Sequence, residues 1–246
     1  FWHPSPQGDA HNPWVPRVLA VYKKGVGALQ AALTEQFQGD LPVLQGRETF
    51  ECRGFRIHPG FLDRSEQEAM VAELRAVLDK APLVQPVTPR GRPMSVRMSA
   101  AGQLGWLSDR SGYRYAAHHP QGTPWPATPE PVLSVWRAVS GCDRMPECCL
   151  INWYGEGARM GLHQDRDEAD FTCPVVSISL GDEALFRMGN PERGGKTESV
   201  WLKSGDVVVM GGAARLAHHG VDRIRFGSTT LLPKGGRINL TLRVVT

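Results

Sequence analysis

The segment LHQDRDEAD, Leu162 to Asp170, sets His163 two residues before Asp165 and follows them with Asp167 and Glu168. Three chemistries fit such a cluster: a solvated acidic loop, an acid/base pair, or part of a metal site. On a strand, residues two apart project from the same face, so His163 and Asp165 would offer two ligand side chains together. Downstream, ARLAHHGV presents His218 and His219 just after the apolar run DVVVMGG, far enough along the chain to return on a neighbouring strand. Two histidines and one carboxylate on one face form the donor set of non-haem Fe(II) oxygenases, which leaves coordination positions open for a cosubstrate and oxygen. The tripeptide alone does not choose among the three chemistries.

The last apolar run adds a second kind of chemistry. In GRINLTLRVV, Ile238, Leu240, Leu242 and Val244 share one face of a strand, and Arg237, Asn239, Thr241 and Arg243 share the other. Two arginines on one side are either a solvated face or a preorganised clamp for carboxylates. The polar alternation recurs in Asn152 and Tyr154 and again in Ser177 and Ser179. Several strands with aliphatic groups on one side and polar groups on the other predict a sandwich with a wet, functional interior.

The elements that must carry these residues follow from periodicity and punctuation. From Phe50 onward, ECRGFRIHPGFL alternates and predicts a strand that opens the folded domain and ends at Pro59-Gly60. Ser65 with Glu68 has the capping-box pattern, and Met70, Leu74, Val77 and Leu78 then keep helical spacing until Ala81-Pro82. A second helix is expected from Thr128 to Gly141, burying Val132, Val135, Trp136 and Val139. CLINWY, VVSISL, ALFRM, SVWL, DVVVM and RINLTLRVV then read as short strands. Helices first and strands afterward suggest an α+β domain with a β-sandwich or jelly-roll core. Trp125, Trp136 and Trp201 are expected to pack the core.

The whole chain sets looser bounds. Its 246 residues, 41% hydrophobic and 22% charged, describe an ordinary globular protein, and no apolar run approaches the roughly 18 residues of a membrane span. A formal charge of +3 is compatible with a polyanionic partner but does not predict one. Cys52, Cys142, Cys148, Cys149 and Cys173 form no CxxC pair and are odd in number, which predicts free thiols in a reducing compartment. Residues 1–47, rich in Pro, Gly and Gln with one possible helix at VGALQAALTEQF, are expected to form an extension to a domain over 48–246. The early apolar stretch VPRVLAVYKKG, broken by Lys23 and Lys24, does not read as a secretory leader.

Taken together, CLINWYGEGARMGLHQDRDE, VSISLG, GDVVVMGGAARLAHHGV and RINLTLR, with GQLGWLSDRSGYRY upstream, resemble the AlkB family of Fe(II)- and 2-oxoglutarate-dependent nucleic-acid demethylases, the bacterial repair enzymes in particular. The likeness spans about residues 50 to 244. It implies a double-stranded β-helix (jelly-roll) core with flanking N-terminal helices, and Fe(II), 2-oxoglutarate and molecular oxygen as its chemistry. It makes His163, Asp165 and His219 the iron ligands, His218 a neighbour, and Asn152, Tyr154, Arg237, Asn239 and Arg243 the 2-oxoglutarate site. Arg237 would take the distal carboxylate and Arg243 the end near the metal. Trp106, Tyr113, Tyr115, Asp167 and Arg193 match substrate-contacting positions, with Glu168 on the substrate side beside Asp167. Arg110, Arg114 and Arg159 would hold phosphates.

The implied reaction is oxidative removal of N-methyl groups from bases such as 1-methyladenine or 3-methylcytosine. The implied partner is single-stranded or damaged DNA, with RNA as a further candidate and no membrane association, for a monomer in the bacterial cytoplasm. Two departures stand out: Met210 lies where bacterial relatives carry tryptophan, and residues 1–47 have no counterpart. Rival readings are an oxygenase acting on tRNA, protein or a small metabolite, and a non-catalytic metal-binding jelly roll.

Overall fold

The computed structural model describes residues 48–246, so the possible helix at 26–37 lies outside the described residues. Thirteen strands and two α-helices follow: β1 (Phe50–Cys52), β2 (Phe55–His58), α1 (Arg64–Lys80), β3 (Arg97–Gly102), β4 (Gly105–Asp109), β5 (Gly112–Ala116), α2 (Glu130–Val139), β6 (Cys148–Tyr154), β7 (Met160–His163), β8 (Val175–Gly181), β9 (Glu183–Met188), β10 (Glu198–Leu202), β11 (Val207–Met210), β12 (His219–Arg225) and β13 (Arg237–Arg243). A seven-stranded sheet runs β1-β2-β11-β8-β13-β6-β3, a four-stranded sheet β10-β9-β12-β7, and β4 with β5 forms a separate hairpin. The mostly antiparallel sheets and few helices make a jelly-roll core, as expected.

Strand β13 sits between β8 and β6, paired on both sides, and its alternation divides the protein. Ile238, Leu240, Leu242 and Val244 face outward and pack with Met70, Val71, Leu74 and Val77 of α1 and Val132, Val135, Trp136 and Val139 of α2. The opposite face looks into the space between the sheets, where Leu150, Phe186, Leu202, Val208, Met210 and Val221 form a second cluster. On that inner face Arg237 is 1% exposed and Arg243 5%, with Asn152, Ser177, Ser179 and Thr241 also buried. A solvated face is therefore excluded.

Several expectations need correction. ECRGFRIHPGFL is a hairpin and not one strand: Arg53 at φ +54° and Gly54 at φ +82° form its turn, a two-residue geometry with positive φ at both positions that suits strand twist. The capping box of α1 belongs to Asp63 and Glu66, because extended Asp63 accepts the Glu66 N–H at 2.8 Å and its own N–H reaches Glu66 Oε2 at 2.8 Å. Ser65 lies inside the helix and donates to Asp63 Oδ1. Strands do not wait for the helices, since five of them precede Cys148. Trp125 and Trp136 are buried, but Trp201 is only half-buried, beneath the guanidinium of Arg225 at 4.3 Å.

Nor are all five thiols free. Cys142, just after α2, and Cys173, just before β8, are joined in a disulfide with Cα atoms 5.8 Å apart, leaving Cys52, Cys148 and Cys149. The two lie 31 positions apart, a juxtaposition that counting cysteines cannot detect, so the count carries no statement about compartment. Among the described residues no helix is long and apolar enough to cross a membrane.

In the smaller sheet, β12 pairs with β7 so that His219 lies opposite His163, with an irregular register immediately after. Gly220 makes that approach possible, because a Cβ there would lie 2.6 Å from the Met160 carbonyl oxygen and 2.7 Å from that of Gly161. Neither is a yielding side-chain tip. Gly220→Ala should push β7 off β12 at a cost of about 1–3 kcal/mol, read as a melting temperature lower by roughly 2–12 °C. An unchanged melting curve would show that the strands give way freely at this point.

Candidate metal and cosubstrate centre

Cross-strand pairing brings two imidazoles together: the rings of His163 and His219 have centroids 4.6 Å apart. Each is oriented by a backbone carbonyl, His163 Nδ1 lying 2.9 Å from Gly161 O and His219 Nδ1 3.0 Å from Ala217 O. A carbonyl only accepts, so each Nδ1 carries the proton and each Nε2 keeps its lone pair. Both lone pairs converge on Asp165, at 3.7 Å from Oδ1 and 3.8 Å from Oδ2. Asp165 itself lies beyond the end of β7, contrary to the shared-strand expectation, and reaches the same point from the segment that follows.

One ligand atom from each of these three residues lies within 4.8 Å of the others. Imidazole and carboxylate in this number are the donor set that suits ferrous iron. Burial would raise the Asp165 carboxyl, but Arg243, His219 and His163 outweigh it and hold the group well below the usual carboxylate range. Burial and the neighbouring His163 push His219 down to about 4, so its imidazole is neutral and ready to ligate. His218 points elsewhere, its Nδ1 3.0 Å from Asn190 O.

The rest of the inner face extends from this point. Arg243 donates to Asp165 Oδ2 at 2.8 Å and lies 3.6 Å from Glu168 Oε1. Burial would lower Arg243, yet Asp165, Tyr115 and Glu168 keep it charged. Arg237, at the other end of β13, makes no ion pair among the described residues. Its Nη2 donates to Ser179 Oγ at 2.7 Å and its Nη1 to Asp182 O at 3.1 Å, while Nε has no partner. Burial lowers it to about 10, which leaves it charged at neutral pH. Asn152 Oδ1 likewise has no partner. Asp206 and Asp182 act on Arg237 as neighbouring charges, but its Nε and the Asn152 amide oxygen remain without hydrogen-bond partners, which fits a polar, anionic cosubstrate.

A cavity of about 430 Å³ joins these groups, lined by the three candidate ligands, Asn152, Tyr154, Arg237, Asn239 and Arg243, with Met210, Phe186 and Leu202 as its apolar wall. Trp106, Tyr113 and Asp167 line it as well. The Trp106 and Tyr113 rings stack at 5.4 Å, and the Trp106 indole N–H donates to Asp167 Oδ2 at 2.9 Å. Tyr115 and Arg193 are not among the lining residues. Tyr115 hydrogen-bonds Glu168 and lies 3.2 Å from Arg243, and Arg193 is exposed between β9 and β10. Glu168 lines the cavity beside Asp167, yet it is 5% exposed and paired with Arg215 at 3.1 Å. Arg114 is held by Asp109 at 2.6 Å.

Sequence reasoning missed Arg215 and the burial of Glu168. The only trace of Arg215 is a cation among small and apolar residues in GGAARLAHHG, four positions before His219.

Residues 54–243 match the 2OG-Fe(II) oxygenase superfamily. The chain is 54% identical over 191 residues to an alpha-ketoglutarate-dependent dioxygenase AlkB homolog of Caulobacter vibrioides, covering 77% of this chain and 87% of the relative. It is 41% identical to alpha-ketoglutarate-dependent dioxygenase AlkB of Escherichia coli K12 over 181 residues, 72% and 83% of the two chains. The solved structure of OsALKBH1 superposes with a TM-score of 0.66 at 29% identity, covering 79% of this chain and 98% of the other. With its two imidazoles, its carboxylate and its buried arginines set on this jelly roll, the chain belongs to the AlkB family of Fe(II)- and 2-oxoglutarate-dependent dioxygenases.

Proposed function

We propose that this dioxygenase removes N-methyl groups from alkylated bases of the 1-methyladenine and 3-methylcytosine type in single-stranded DNA, with RNA as a further substrate. The observation that carries the reading is the rim of the cavity, where Trp106, stacked on Tyr113 and bonded to Asp167, stands over the same space as the histidines and Asp165. An aromatic face beside a carboxylate suits a flat, positively charged methylated base. Iron, 2-oxoglutarate and oxygen supply the oxidising equivalent that hydroxylates the N-methyl carbon, after which formaldehyde leaves.

The protein's own groups do the rest. His163, Asp165 and His219 hold the metal through Nε2, a carboxylate oxygen and Nε2. Arg237 pairs with the distal carboxylate of 2-oxoglutarate, Arg243 serves the end near the metal, and Asn152, Tyr154 and Asn239 complete the cradle. Met210, Phe186 and Leu202 keep water away from the cosubstrate chain. Trp106 takes the extruded base as a stacking partner, offsetting unstacking by roughly 1–3 kcal/mol. Asp167 accepts from the exocyclic amino group and opposes the charge of the lesion. Tyr115 and Arg193, outside the cavity lining, would contact the strand beyond the base.

The oxygenase domain on this reading is 48–246, with 1–47 as an extension, in keeping with the match over 54–243. The protein would act as a monomer, without a membrane partner, in the bacterial cytoplasm, in keeping with its relatives in Caulobacter and Escherichia.

Loss of an iron ligand should abolish turnover: Asp165→Ala or His163→Ala, purified and folded, is expected to show no formaldehyde release at limiting iron. Near-normal activity in either would remove these residues from the metal site.

Arg237→Ala should raise the 2-oxoglutarate dissociation constant by about 30-fold or more, since truncating one partner of a buried, hydrogen-bonded charge pair costs on the order of 2–5 kcal/mol. Arg237→Lys should recover only part of the loss, because the planar fork is gone. Equal affinities would place the cosubstrate elsewhere.

Asp167→Ala and Trp106→Ala test the substrate class. Losing one charge-assisted hydrogen bond costs on the order of 1.5–3 kcal/mol, so Asp167→Ala should slow demethylation of 3-methylcytosine in single-stranded DNA roughly 10- to 150-fold. Trp106→Ala should show a similar selective loss, and both should spare decarboxylation of 2-oxoglutarate in the absence of substrate. Wild-type rates in both variants would move tRNA, protein or a small metabolite ahead as the substrate.

A further inference from the structure

Strand pairing positions His163 and His219, but nothing in the β7–β12 ladder reaches Asp165. The ladder stops at His163, and Asp165 lies in the irregular segment over 164–174 that leads to β8. A metal ligand on irregular backbone needs another source of precision, because outer groups that hold a ligand govern affinity nearly as strongly as the ligand does.

The geometry points to Arg215 as the positioning residue that fixes the Asp165 carboxylate relative to His219. The inference rests on the iron site proposed above. Arg215 is 4% exposed and spends its whole guanidinium on that one segment. Nη1 donates to the carbonyl of Asp165 itself at 2.7 Å, Nη2 to Glu168 Oε2 at 3.1 Å and Nε to the Cys173 carbonyl at 3.0 Å. Its planar head also covers the Phe171 ring at 5.1 Å. These contacts reach from Asp165 to Cys173, nearly the whole segment.

The other end of Arg215 is as well placed. It closes the short 3-10 turn Gly212–Ala214, two residues before Ala217, whose carbonyl orients His219 Nδ1. One side chain thus ties the turn that aims His219 to the segment that carries Asp165. The segment has other anchors: Gln164 Nε2 donates to the Leu216 carbonyl at 2.5 Å and the Pro191 carbonyl at 2.9 Å, Trp106 and Tyr115 bond Asp167 and Glu168, the Ala169 N–H bonds Val245 O, and Cys173 is joined to Cys142, but none of these bonds is made to the Asp165 backbone. Arg243 holds the Asp165 side chain but leaves its backbone free. Lysine could not satisfy all three acceptors, since its donors radiate from a single nitrogen whereas the guanidinium spreads them in one plane over three.

The test is anaerobic titration of Mn(II), a redox-silent stand-in for iron, into wild-type protein, Arg215→Lys, and the double variant Arg215→Met with Glu168→Gln, which removes both charges of the buried pair. Melting curves of the metal-free proteins run alongside. Folded variants are expected to bind Mn(II) about 10- to 100-fold more weakly, the usual consequence of losing an outer-shell partner, with 2-oxoglutarate-independent melting close to that of wild type. The Co(II)-loaded visible spectrum should also change, because it reports ligand geometry. Wild-type Mn(II) affinity and an unaltered Co(II) spectrum in the folded variants would overturn the inference. So would failure of every variant to fold, which would make Arg215 a residue of the fold alone. If wild-type protein binds no metal, the iron site itself is refuted, a separate outcome.

Discussion

Keeping a carboxylate charged inside the sandwich is the constraint around which the centre is organised. Asp165 and Glu168 are both buried, as are Arg243 and Arg215, so the interior holds two carboxylates and two guanidiniums in contact. Burying an isolated ion costs several kcal/mol, and removing one member of such a group strands another. Each partner comes from a different part of the fold: Arg243 from β13, Arg215 from the turn before β12, and the carboxylates from the segment after β7. Charge balance alone therefore requires the two sheets and their connections to close in one arrangement, and that arrangement leaves Asp165 against two imidazoles.

The two arginines of β13 share a face but not a state. Arg243 is paired directly with Asp165 and Glu168, whereas Arg237 bonds the neutral acceptors Ser179 Oγ and Asp182 O and feels the carboxylates of Asp206 and Asp182 only as neighbouring charges. A buried cation without a directly paired anion is costly. On the reading proposed above, an arriving dianion would supply at this end of the strand the direct pairing that Arg243 already has at the other.

What the sequence made legible was what backbone periodicity governs. In β13, paired on both sides, alternate residues must face opposite layers, so the split between Ile238, Leu240 and Leu242 and the polar row beside them could be read directly. The same logic reached Asn152 and Ser177. It failed where position is set by side chains. Asp165 lies off the strand, the pairing of Glu168 with Arg215 spans 47 residues, and Cys142 found Cys173 across 31 positions. The turn at Arg53 was missed because arginine gives no signal of positive φ, although Gly54 does. The family resemblance supplied Asp165, His219, Arg237 and Arg243 as a set, but no likeness of motifs indicated that Glu168 would be buried against Arg215.

That segment also joins the two halves of the chemistry. Trp106 and Tyr115 are cross-strand partners in the β4–β5 hairpin, which belongs to neither main sheet. They hydrogen-bond to consecutive residues, Trp106 to Asp167 and Tyr115 to Glu168. A two-stranded ribbon is marginal alone, so these bonds, with Trp125 donating to Ala116 O at 2.8 Å, supply its attachment. The aromatic face is thus registered against residues only two and three positions from Asp165. A base that displaced Trp106 from Asp167 would pull on the segment that carries the metal's carboxylate, while the cosubstrate end, set in the fully paired centre of the large sheet, would stay where it is.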